Sequence, residues 1–152
     1  MSNLWDIAVF DRREQIVLAV DTRNLRHKGA EWAEGLHRHL AEYDNLPTSP
    51  YFLLAMPDRF YLWSNGIGRD DNHAPDYVIN SAPLLRPFFE GITIDENEID
   101  RHSFEMIVFS WLAQYVHASE TELINVKDLD WLRESGLAAA IARGRITYGV
   151  LV

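Results

Sequence analysis

Cysteine is absent from the 152 residues, which excludes disulfides, thiolate zinc sites, iron–sulfur clusters and cysteine nucleophiles. The hydrophobic core alone must hold the fold. Also missing is any run of about 20 uncharged apolar residues, the length that crosses a bilayer. The first six residues have neither the basic start nor the apolar stretch of a secretion signal. No membrane partner and a cytoplasmic address are therefore expected. Basic side chains are scarce: 14 Lys and Arg stand against 23 Asp and Glu, a net charge of −9. The average surface repels a phosphate backbone, so a nucleic-acid role must rest on a local basic patch or on metal ions. Residues 1–63 carry 7 basic and 9 acidic side chains, residues 64–152 carry 7 and 14. The first part is the better place for phosphate.

What is abundant is apolar surface. A hydrophobic share of 47%, with 5 Trp and 7 Phe, is more than a solvated chain carries. The length fits a single domain spanning 1–152. Two apolar runs, 4–10 and 15–21, flank the polar turn Asp11-Arg12-Arg13-Glu14 and read as a hairpin. The second is apolar without alternation from Ile16 to Val20, as in a strand covered on both faces. Residues 28–43 change to a helical period, with Trp32, Leu36 and Leu40 at four-residue steps. Residues 51–56 and 59–63 read as strands around Pro57-Asp58. The order β-β-α-β-β is an α/β, more specifically α+β, sheet with a covering helix. A long loop is expected over 64–76. Residues 77–152 are expected to be a mainly helical extension, with helices over 83–90, 101–118 and 130–143 and a closing strand over 146–152.

The acidic residues of the hairpin carry the functional reading. With the turn centred between Arg12 and Arg13, Asp6 is expected opposite Ala19, and the side chains of Asp6, Asp21 and Arg23 share one side of the ribbon. Asp6 and Asp21 are then diagonal neighbours about 7–8 Å apart, close enough to grip one hard cation. Magnesium suits such a pair, because it takes oxygen ligands and keeps several waters.

An Asp on one strand, then Asp21-Thr22-Arg23 at the end of an apolar strand, then a helix and further strands, resembles the PD-(D/E)XK nuclease superfamily. The resemblance covers residues 4 to 63 and implies a restriction-endonuclease-like mixed sheet. It also implies a metal-dependent nucleic-acid endonuclease, with Asp6 and Asp21 binding Mg2+ or Mn2+ and Arg23 in the place of the catalytic lysine. Two departures stand out. Trp5 occupies the position of the family's proline. Arginine does not release its proton near neutral pH, so Arg23 can hold a phosphate but not act as a base. The departures also suit another reading, a catalytically inactive accessory or protein-interaction module. Family members carry a helix, and often a strand, ahead of the first Asp, and here that part is missing or replaced. Lys28 is a candidate for the absent ammonium group, and Glu31 or Glu34 for a further acid. Nucleic acid is the expected partner, held by a modest basic rim of Arg12, Arg13, Arg26, Lys28 and Arg59; a protein partner or a homodimer is the other expectation.

Other motifs read as structural. His37 and His39 lie two apart on a helix, point to different faces and are expected to be solvated. His73 and His102 have no evident partner. Asp70-Asp71-Asn72 and Gly66-Ile67-Gly68 fit turn chemistry better than a calcium or phosphate loop. The aromatics Tyr51, Phe52, Phe60, Tyr61 and Trp63 are expected in the core.

Overall fold

The two opening runs form β1 (Leu4–Phe10) and β2 (Ile16–Thr22), paired antiparallel. The structure is a computed structural model that describes residues 4–43, 49–64, 74–90, 99–118 and 129–151. The Gly66–Gly68 and Asp70–Asn72 motifs and His73 lie outside these. Asp11 builds the hairpin turn. Its N–H donates to the Gln15 carbonyl (2.8 Å), its own carbonyl accepts from the Glu14 N–H (3.0 Å), and its carboxylate accepts from the N–H groups of Arg13 and Gln15. Glu14 closes the turn in the left-handed region at φ 63°. The loop is thus Arg12 to Glu14, an odd-length turn of the kind that ends in a left-handed residue.

That turn corrects the expected register. Pairing starts at Phe10 with Ile16, slips by one residue at a bulge, and continues as Val9 with Leu18, Ala8 with Ala19 and Ile7 with Val20. Ala19 therefore faces Ala8, not Asp6. The odd turn and the bulge each shift the pairing by one position, so the parity of the two faces is restored. Continued one step, the register sets Asp6 directly opposite Asp21.

The remaining strands are β3 (Tyr51–Ala55), β4 (Arg59–Trp63), β5 (Tyr77–Asn80) and β6 (Arg145–Leu151), in a mixed six-stranded sheet of order β5-β4-β3-β2-β1-β6. Only β2 and β3 run parallel; the crossover between them carries helix α1 (Ala30–Tyr43). β5 was not expected. It starts where Asp76 folds back, donating its N–H to the Leu62 carbonyl and accepting from Ser64. Four more helices lie among the described residues: α2 (Ala82–Phe89), α3 (Arg101–Val116), α4 (Asp130–Glu134) and α5 (Leu137–Ile141). The expected single helix over 130–143 is two, because Gly136 adopts φ 85° between them.

Two cores sandwich the sheet. Ala19, Phe52, Leu54, Tyr61 and Trp63 pack with Ala33 and Leu40 of α1. Ile7, Val9, Leu18, Val20, Leu53, Phe60 and Leu62 pack with α2 to α5, chiefly through Phe104, Val108, Trp111 and Leu112 of α3. The fold is α+β, as expected, but residues 77–152 are built into it: they supply both edge strands and one whole layer. α1 also corrects the expectation for His37. The helix turns Ala33, His37 and Leu40 inward and leaves Trp32 and Leu36 half-buried, so His37 is only 4% exposed. Its ring stacks on Trp63 at 4.6 Å and 10°. Among the described residues no helix is long and apolar enough to cross a membrane.

Candidate functional site

The ends of β1 and β2 away from the turn hold the site, at the point where the side-chain alternation of β1 changes. Ile7 and Val9 lie in the core under α3, yet Trp5, of the same parity, packs on Phe52 at 5.3 Å in the α1 core. Alternation reverses at Asp6, and its side chain enters neither core. Instead the Asp6 carboxylate completes the ladder: Oδ2 accepts from the Thr22 N–H at 2.8 Å and from Thr22 Oγ1 at 3.2 Å.

Asp21, at the end of a strand hydrogen-bonded on both sides, is 9% exposed. Its carboxyl is pushed up to about 7, chiefly by burial, with Arg23 opposing and the neighbouring Asp6 adding. Asp21 thus keeps a proton up to near neutrality, as a buried carboxyl beside another negative charge does. Arg23 turns its Nε onto Asp21 Oδ2 at 2.9 Å.

The other side of the site comes from α3, whose start is fixed by two contacts. Asn24, next to Arg23, donates through Nδ2 to the Ile99 carbonyl at 2.6 Å. Asp100 then caps the helix, accepting from the Ser103 N–H at 2.8 Å. Arg101 is thereby held with Nη2 3.7 Å from Asp6 Oδ1, while 69% of its side chain stays exposed. One turn on, Glu105 is half-buried; burial and the Asp6 charge raise its carboxyl above the usual range. The positive end of the α3 dipole also faces this cluster.

Asp6, Asp21 and Arg23, singled out from the sequence, come together here. Lys28 does not join them: its ammonium lies over Trp32, 5.7 Å from the ring centroid, and among the described residues it forms no ion pair with either Asp. Glu31 is exposed, and the further acid near Asp6 is Glu105. The basic rim is divided. Arg12 and Arg13 sit at the opposite end of the hairpin, about five residues and so roughly 16 Å from Asp6, where they line a cleft of about 360 Å³ with Val17, Ala139, Ala140 and Ala142. Arg101 and Glu105 were missed because only the three-dimensional course of α3 brings them to Asp6. Their sole sequence signal is the four-residue spacing that puts both on one side of the helix.

Among the described residues no group of three or more His, Cys, Asp or Glu side chains is placed to hold a metal ion. Asp6 and Asp21 are the acidic pair at this point, and two carboxylates are a donor set that a magnesium ion keeping its waters can use. Comparison with protein-family models, with curated proteins and with solved structures gives no match. The functional reading therefore rests on the geometry.

Proposed function

We propose that this is a divergent restriction-endonuclease-like domain in which Asp6 and Asp21 hold a magnesium or manganese ion, and Arg23 and Arg101 hold the phosphodiester to be hydrolysed. The observation that carries this is the meeting of two carboxyl groups, from different strands, at the end of a buried parallel strand. Burial and mutual repulsion already make one of them keep a proton near pH 7, and a divalent cation is the natural replacement for that proton. When bound, such an ion supplies an activated water and neutralises charge on the phosphate.

The chain's own groups have distinct tasks. Asp6 is oriented by Thr22, and Asp21 by Arg23. Arg101 brings an exposed guanidinium to the open side, where it can pair bidentately with phosphate oxygens. Neither arginine can accept a proton. Glu105, with its raised carboxyl, is the group on that side suited to proton transfer. The sheet supports the same reading. β6 fills the place beside β1, and α3 lies across β1 and β2, so a strand and a helix flank the first Asp although both follow it in sequence.

Thermal melting in millimolar Mn2+ or Mg2+ tests the cation site. The wild type is expected to melt higher with metal, and Asp6→Asn and Asp21→Asn to lose the shift. A metal-independent melting point rejects the site. A second reading, a domain without catalysis that serves as an accessory module, is favoured by one contact. The Arg23–Asp21 pair is a built-in counter-ion that competes with metal. If metal binds but neither the wild type nor Arg23→Lys cleaves single- or double-stranded DNA or RNA, this second reading holds.

A further inference from the structure

Arg101, Glu105 and Phe109 follow one another at four-residue steps along α3, so they form a single stripe running away from Asp6. The stripe ends in an aromatic pair. Phe109 stacks on Tyr148 of β6 with ring centroids 3.9 Å apart and planes 13° from parallel. Tyr148 lies opposite Ile7 in the β1–β6 register, one position beyond Asp6. It is therefore about 6 Å from Asp6 along and across the sheet.

The tyrosine is 44% exposed although Phe109 covers one of its faces, which leaves its other side toward solvent. Met106, on the neighbouring strip of α3, is 47% exposed. β6 is an edge strand, so no further strand among the described residues covers this corner. An acidic pair of buried Asp21 and half-buried Asp6, an exposed guanidinium and an open aromatic face thus occur in sequence within a short span. Phosphate and base have that separation of character within one nucleotide: the charge belongs beside Arg101 and a cation, and the π-face beside an aromatic ring.

We propose that the Phe109–Tyr148 pair is a stacking platform for an unpaired nucleobase, which makes single-stranded nucleic acid the substrate class of this site. The inference rests on the cation-site reading for the position of the phosphate, but the platform has its own readout. A duplex keeps its bases stacked on each other and cannot offer a free face. A single strand can, and aromatic platforms bind its bases with little regard for sequence. Hydrogen-bonding edges are not needed for such stacking, so all four bases are accepted.

The test is fluorescence polarisation of a labelled single-stranded mixed-sequence oligonucleotide, an abasic oligonucleotide of the same length and a blunt duplex. It is run with the full chain in Ca2+. The natural single strand is expected to bind about tenfold or more tightly than the abasic one, and more tightly than the duplex. Tyr148→Phe should keep that preference, and Tyr148→Leu should remove it while binding the abasic strand as the wild type does. Equal affinity of the wild type for natural and abasic strands overturns the proposal, and needs no variant. So does an unchanged preference in Tyr148→Leu, or absence of oligonucleotide binding in a protein whose melting point responds to Mn2+. A base-dependent affinity without any melting response to metal keeps the platform and rejects the cation site.

Discussion

Asp21 gives the molecule a pH response with a definite sign. Its carboxyl is raised from 3.8 to about 7, first by burial, so between those values the folded chain holds a proton that the unfolded chain releases. Stability contributed by this group is fully present below the unfolded value and is lost as pH rises through the folded one. Without divalent metal, this residue's part of the stability should decline from pH 4 to 7 and level off above. Asp21→Asn keeps a donor toward Asp6 and removes the ionisation. It should raise the melting temperature at pH 8 by about 5 °C and have little effect at pH 4; an unchanged melting point at pH 8 would show that the buried charge costs nothing. The approach of these acids was legible although their register was not: the odd turn and the bulge each moved the pairing by one position, and the two shifts together left Asp6 beside Asp21. His37 was not legible: a ring stacked on Trp63 through a helix-to-sheet contact leaves no mark in local spacing. Arg101 and Glu105 escaped for a related reason, since nothing within α3 tells which strand end it covers.

Elements were easier to read than their junctions. β1 to β4 and α1 fall within two residues of where hydrophobic patterning puts them, because each is a run with a single period. The junctions depend on backbone choices. Glu14 closes the hairpin in a left-handed conformation that few sequences advertise, and the bulge beside it is invisible in composition. At Gly136 the added strain of φ 85° combines with crowding, because a Cβ there would lie 2.8 Å from the Tyr51 hydroxyl. That hydroxyl donates to the Ser135 carbonyl at 2.7 Å. Gly136→Ala should destabilise by about 1–3 kcal/mol, measured by denaturant unfolding. Gly144 is stricter. A Cβ would meet the Phe10 carbonyl oxygen at 2.3 Å, a backbone atom that cannot rotate aside. Gly144→Ala should cost more than Gly136→Ala, with exchange protection lost first where β6 joins β1.

At the scale of the molecule, the split into a nuclease-like first part and a helical extension does not describe how the chain is held together. Phe104, Val108, Trp111 and Leu112 cover the same face of the sheet that Leu18, Val20 and Leu53 present. Residues 1–63 alone would expose that face to water, at roughly 25 cal/mol for each Å² of apolar surface. A fragment of residues 1–63 is expected to lack a cooperative melting transition, whereas the full chain melts in one; a folded fragment, recognised by dispersed amide signals in NMR, would count against this account. Sequence patterning identified both helices and strands here, but the layers are made by contacts between residues a hundred positions apart.

Leu4 pairs with Leu151 across β1 and β6, so the two described extremities of the polypeptide are neighbours. A short tether between them would close the molecule into a ring, and reopening that ring ahead of Ile99 would yield a permuted chain. In that order α3, α4, α5 and β6 would all precede Asp6, with the β1–β6 pairing kept.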